Sequence, residues 1–412
     1  MKFKFPNIKI EVNKKILKRV GLSLGLGIAM LYVFLILSNL DIPVSSENQV
    51  MKWTYKVFSN DKSFNKPLPN DLLLVNIGYD RALEDICDED GMPLGNIDIT
   101  DRKKLIDFLA MAQTVGDYKY ILMDVRFADD VKTDVDSALW KALSSTDRLI
   151  LPSHHGMNIA DKSLEHIIAN SDYAINILEN DFVNYPIIID SKPSMVWYAY
   201  NSQFHDSIHH IAGLTFAEGH IMRMSIIPNI DILANDFYDN NGEKKVYNLG
   251  EDLLDDSDNM KDLLSGKFIV IGDFVNQDYH STYRGIMHGP MIHVNVLYNM
   301  LKKEHLISWP ILLVLLILFS SSFALVMFQP RIIRKLRNPI FIYIFKRVPK
   351  FGHFCSNLYQ ILLSFVGFWT LYVIVFLLIF KTTNQIYEIL IFSSFFTIIS
   401  SILNINNHIE QS

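Results

Sequence analysis

Residues 263–301 read LLSGKFIVIGDFVNQDYHSTYRGIMHGPMIHVNVLYNML, and this stretch decides the fold. Within it GKFIVIG, residues 266–272, is a short unbroken apolar run bounded by glycines. Such a run, without polar alternation, predicts a strand buried on both faces. A polar loop follows, and residues 290–301 then predict a helix.

The same grammar repeats toward the N-terminus. DLLLVNIG at 71–78 and YKYILMDVRF at 118–127 read as further buried strands. Between them Thr100 is placed to cap a helix with Leu105, Ile106, Phe108, Leu109 and Ala112 on its apolar face. A helix over 136–143, a strand over 148–152 and a helix over 194–201 come next. Residues 214–249 show mixed alternation and predict a β insertion or an antiparallel edge. Continuous apolar strands separated by helices predict an α/β domain with a mostly parallel sheet covered on both faces.

On either side of this domain the composition changes. The chain has 412 residues, 50% hydrophobic and 20% charged, and its mean hydropathy is +0.18. Four apolar runs raise that mean: 20–40, 306–330, 358–380 and 386–403, the last carrying Glu388. A helix needs about 20 apolar residues to cross a bilayer, so four transmembrane α-helices are expected beside the α/β domain. The first run is longer than a signal-peptide core and no small-residue cleavage site follows it, so it reads as an uncleaved anchor.

Seven Lys/Arg precede the first span, and seven more lie between the second and third. The positive-inside rule puts both segments, and both termini, in the cytoplasm. The expected order is a basic arm at 1–19, a span at 20–40, an extracytoplasmic domain at 41–305, a span at 306–330, a basic cytoplasmic loop at 331–357 and spans at 358–380 and 386–403. Within that loop RIIRKLRNPIFIYIFKRVPK, residues 331–350, reads as an interfacial helix on the cytoplasmic leaflet or as a plain topology-setting loop. The expected site is the inner (cytoplasmic) membrane of a bacterium.

Segment 41–305 holds 23 Lys/Arg against 41 Asp/Glu and carries −18, whereas the whole chain carries only −6. That charge excludes nucleic acid as a partner. Hydrophobicity excludes global disorder. Two cysteines, Cys87 outside and Cys355 inside or at the interface, exclude a disulfide-stapled mini-domain. Ordinary core burial suffices for a domain of this size.

This layout resembles the type-two CHASE sensory domain: one anchor, a long outward α/β domain, then closely spaced spans. The likeness rests on Gly266, Lys267, Ile271, Gly272, Asp278, Met287, Gly289, Ile292, His293 and Leu301 in the opening stretch. It rests also on Asp124, Phe127, Asp136 and Leu143, and more weakly on INILENDF (175–182), YPIIID (185–190) and PSM (193–195). The family's Trp-Pro-Trp stretch is replaced by GMPLGNIDITDR (91–102), and Gly78 stands where the family has Asp. The resemblance implies a sensory role, coupled here to a separately encoded output protein because none is expected to be fused after the last span.

Ligands of open α/β sheets bind beyond the carboxyl ends of the strands. Asp80, Asp124 and Asp273 fall at or just after such ends, and Asn276, Asp278, His280 and His293 lie in or after the last strand's loop. Together they are the candidate ligand-binding residues, although acids after strands also cap helices and brace loops. HDSIHH at 205–210, with Glu218 and His220, offers His205, His209 and His220 as weaker metal candidates. On one helix face His205 and His209 would resemble a zincin pair, but Asp206 replaces the basic Glu, and a solvated histidine face is the favoured reading. His154 and His155 carry the same low weight. No Gly-rich phosphate loop, G-x-S-x-G elbow or C-x-x-C occurs, and no catalytic residue or cofactor is expected.

The expectation is therefore a non-enzymatic membrane sensor or adaptor. Its partners would be the lipid bilayer and a separate cytoplasmic signalling protein, with a second copy of the chain as a further candidate. The alternatives are a membrane-anchored metal-dependent hydrolase and a structural subunit of a membrane complex. Near-absence of intramembrane charge speaks against an ion-coupled transporter.

Overall fold

The computed structural model describes residues 14–37, 68–87, 92–127, 133–153, 161–176, 182–189, 192–233, 238, 244–255, 260–276, 278–336, 349–383, 389 and 392–400. His154, His155 and the side chains of Cys87 and Cys355 lie outside what is described. The chain divides into two compact units. One is Asn48–Leu306; the other combines Met1–Glu47 with Ile307–Ser412.

The first unit is built on a six-stranded sheet. Its order is Val246–Asn248, Leu72–Asn76, Phe268–Gly272, Tyr120–Met123, Leu149–Ser153, Ile168–Asn170. Every neighbouring pair runs parallel. The Phe268–Gly272 strand lies near the centre and is buried at all five positions, as its unbroken apolar run requires.

Strand side chains alternate between two cores, following the two-residue period of the pleat. Leu72, Leu74, Leu122, Phe268 and Val270 face the layer of the Met195–Phe204 and Gly289–Leu301 helices. Leu73, Val75, Ile121, Met123, Ile269 and Ile271 pack with Leu105, Phe108, Leu109, Leu139 and Leu143 of the Arg102–Val115 and Asp136–Ser145 helices. The unit is thus a three-layer α/β/α arrangement.

Two expectations need correction, and a third is met in part. The strand expected over 118–127 is confined to Tyr120–Met123. The Asp124 N–H makes a last bond to Ile271 O at 2.7 Å, and the chain then turns so that Arg126 is exposed. Thr100 does not cap the following helix. It ends an antiparallel ribbon, Arg81–Cys87 with Pro93–Thr100. The cap is Asp101, whose carboxylate accepts the N–H groups of Lys103 and Lys104 at 3.0 and 3.3 Å, as an N-cap should. Finally, residues 214–249 split in two. Leu214–Ala217 and His220–Met222 continue a meander begun by His209–Ile211, while Val246–Asn248 joins the parallel sheet beside Leu72–Asn76.

The Gly289–Leu301 helix carries two buried asparagines one turn apart. Asn295 Oδ1 accepts the N–H groups of Asp231 and Ile232, both at 2.9 Å, and Asn299 bonds both backbone groups of Asn229. The extended segment 229–232 makes no strand ladder, so these amides supply the partners its buried backbone needs.

The second unit has three helices long and apolar enough to cross a membrane: Lys14–Leu37, Trp309–Phe328 and Ile361–Ile379. These are the helices of a multi-pass membrane protein. Four spans were expected. Of the fourth run only 389 and 392–400 are described, the latter as helix. Nor is 331–357 simply a loop: the Trp309–Leu336 and Pro349–Thr383 helices enter it from both ends, and 337–348 lies outside the described residues. Inside the unit, Gly27 lies so close to Ser320 that a Cβ would strike its backbone. Small residues permit this approach where lipid offers no hydrophobic drive. Phe34, Phe319 and Phe392 form a ring cluster with centroids 5.3–5.8 Å apart.

Candidate functional site

Chain order across the sheet creates a place for a site. From Leu72–Asn76 the chain steps over the position later filled by Phe268–Gly272, reaches Tyr120–Met123, and moves one way to Ile168–Asn170. Val246–Asn248 joins on the opposite side. Ligands in open α/β sheets bind at such a switch point, beyond the carboxyl ends of the strands. A cleft of about 460 Å³ opens there.

Its floor is the two strand ends at the centre, held by side-chain bonds. Asn76 is fully buried. Its Oδ1 accepts the N–H groups of Gly78 and Phe274 at 3.0 and 3.1 Å, and its Nδ2 donates to Asn248 Oδ1 at 3.0 Å. Asp273 Oδ1 accepts the N–H groups of Val275 and Asn276, and its Oδ2 pairs with Arg81 at 3.0 Å. Asn276 Nδ2 donates to Gly78 O at 2.7 Å. These bonds fasten the loops after adjacent strands to one another.

Gly78 is required by this crowding. A Cβ there would stand 2.5 Å from Asp273 Oδ1, so a larger residue would force that carboxylate out of its bonds. Gly78→Ala is expected to lower stability by about 1–3 kcal/mol through overpacking. Thermal unfolding of the purified chain checks this, and an unchanged midpoint would show that the loops yield freely.

Asp124, Asp273, Asp278, His280 and His293 all line the cleft. Asp80 and Asn276, predicted with them, do not. Asp80 is buried beside the Lys104 ammonium at 2.6 Å and accepts the Gly250 N–H. The bond to Asp80 holds Lys104 above its ordinary pKa. Asp80 therefore fastens the first turn of the Leu249–Leu254 helix at Gly250, and Asn276 braces Gly78.

His293 is buried in the first turns of the Gly289–Leu301 helix. Its Nδ1 lies 3.2 Å from the Tyr185 hydroxyl and its Nε2 3.6 Å from Asp124 Oδ2. Tyr173 stacks on Tyr185 with centroids 6.1 Å apart and meets the rings of His280 and His293 edge-on. Burial, then the carboxylates of Asp278 and Asp124, push the Tyr173 phenol well above its ordinary pKa. It stays a neutral hydroxyl among acids. Asp278 has φ 60, accepts the Gly289 N–H on its carbonyl and pairs with His280 Nε2 at 2.7 Å.

The cleft also takes in Arg81, Thr100, Arg126 and the run Ser171–Tyr173, none of which the sequence offered as site residues. Ser171–Tyr173 follows Ile168–Asn170, a strand of three residues. No periodicity is measurable over so short a segment. Arg126 could have been found, because it lies two residues beyond Asp124 on the same strand exit.

The histidines of 205–220 do not assemble on a helix face. His205 ends the Met195–Phe204 helix in the left-handed region at φ 51, and His209 lies in a strand. His209 Nε2 meets Ser207 Oγ at 2.7 Å, and His220 Nδ1 meets Glu218 O at 2.9 Å. Among the described residues no group of three or more His, Cys, Asp or Glu is placed to hold a metal ion.

The chain matches no family model, no curated protein and no solved structure. The cleft's own geometry therefore carries the functional reading.

Proposed function

We propose that this protein is a bacterial inner-membrane sensor of the type-two CHASE kind. Residues 41–305 lie outside the cytoplasm and bind a small ligand, and the spans carry the response to a cytoplasmic output partner. The observation that supports this is the cleft: a concave polar site at the sheet's switch point, framed by loops from separate strands. Ligand sites in α/β proteins are built this way. Both nitrogens of His293 face partners, Tyr185 and Asp124, so its ring is braced. Basic flanks on the first span and between the second and third favour cytoplasmic termini. Nothing in the arrangement of the 205–220 histidines favours the hydrolase alternative.

A ligand that binds only the folded state raises stability in proportion to its occupancy. The sensor reading predicts that some member of a panel of amino acids, sugars, carboxylic acids and inorganic ions raises the unfolding midpoint of the full-length protein. A structural subunit would respond to none.

Orientation has its own test. Leu83 is strongly exposed, so a Leu83→Cys variant lacking Cys87 should react with a membrane-impermeant maleimide in intact cells stripped of outer barriers. Labelling only after lysis would place this domain in the cytoplasm.

A further inference from the structure

The cleft's lining selects a ligand class; this step rests on the ligand-binding reading above. Arg81 and Asp273 neutralise each other at 3.0 Å. The other charged lining is Asp124, Asp172 and Asp278 against Arg126, with His280 Nε2 2.7 Å from Asp278 and His293 Nε2 3.6 Å from Asp124. Asp124 is only 11% exposed, so water screens its charge poorly. Arg126 is exposed at the cleft and forms no ion pair among the described residues.

An acid-rich concave site raises the local concentration of cations. A bare divalent ion needs several converging ligands, and no three candidate side chains converge among the described residues. An organic ammonium needs less. It presents N–H donors to carboxylates, which only accept, and Tyr173 adds an aromatic ring to the lining. Arg126 adds a planar fork suited to a carboxylate. A cleft of about 460 Å³ has room for such a solute.

We infer that the cleft takes a small zwitterionic amine of the free amino acid class. Its ammonium lies among Asp124, Asp278 and Tyr173, and its carboxylate meets Arg126.

Isothermal titration of the full-length protein in detergent tests this with four sets of probes: the standard amino acids, the corresponding decarboxylated amines, the corresponding acids lacking the amine, and neutral sugars. An amino acid should bind, its amine should bind about tenfold more weakly, and its acid should not bind. Asp124→Asn should weaken the amino acid about tenfold. Arg126→Gln, at an exposed position that leaves the unliganded unfolding midpoint unchanged, should erase the preference for amino acid over amine. Binding of an acid or sugar without any amine would overturn the ligand class and leave sensing intact. An amine that outbinds the amino acid equally in wild type and Arg126→Gln would overturn the carboxylate contact. Absence of binding by every probe would overturn the ligand class, while the wider panel above, with its inorganic ions, decides the sensor reading.

Discussion

Asn76→Leu should destabilise the α/β unit by about 3–5 kcal/mol, because two buried N–H groups lose their acceptor and each costs about 1–3 kcal/mol. Those donors are Gly78 N and Phe274 N, on the loops leaving adjacent strands. Leucine matches asparagine closely in size, so a new cavity contributes little. For a unit this large the unfolding midpoint should fall by about 10 °C. Asn248→Ala removes the bond to Asn76 Nδ2 and a longer, exposed one from its own Nδ2 to Glu251 Oε2 at 3.3 Å, and should cost about 1 kcal/mol. Intrinsic fluorescence of the full-length protein on heating separates the two. Equal effects would mean that Asn76 acts through Asn248 alone, and that the floor of the cleft is held elsewhere.

His305 should make the protein acid-sensitive. It is fully buried, and neither ring nitrogen finds a hydrogen-bond partner. Tyr200 and Trp197 meet its ring edge-on at 4.8 and 6.1 Å, and its carbonyl accepts the Arg223 N–H at 3.0 Å. Burial pushes its pKa down to about 3, and Lys303 adds to this against the pull of Glu218. A depressed base binds its proton more weakly folded than unfolded. Its contribution to stability is whole above the unfolded value of about 6.5 and is lost as pH falls toward 3, by about 1.4 kcal/mol per pH unit. At pH 4.5 the loss should reach about 2–3 kcal/mol. His305→Phe keeps an aromatic ring among Tyr200 and Trp197 and should flatten that part of the profile. Chemical denaturation of both proteins between pH 4.5 and 7.5 checks this. Parallel profiles would show that the buried ring finds a proton-accepting partner.

The buried strands were readable because a parallel sheet covered on both faces forces continuous apolar runs such as DLLLVNIG and KFIVIG. The spans were readable for the analogous reason in lipid. Residues after strand ends were readable as a group, since topology alone brings them to one edge; hence Asp124, Asp278, His280 and His293 meet at the cleft. Which of them brace and which face the cleft was not readable. Asp80 is turned to Lys104 and Gly250, and that choice depends on partners 24 and 170 residues away. The three-residue strand ahead of Ser171 left no pattern. The apparent metal motif failed on local geometry: His205 leaves the helix before His209 can share its face.

The central claim is that the switch-point cleft is where a ligand acts. Amide hydrogen exchange of the full-length protein in lipid nanodiscs tests it most directly, with and without a mixture of the standard amino acids. The account predicts slowed exchange in the cleft loops, at 124–126, 171–173 and 278–289, with the opposite sheet edge near Asp71 and Lys119 unchanged. Protection confined to another surface, or exchange identical in both samples, would contradict it.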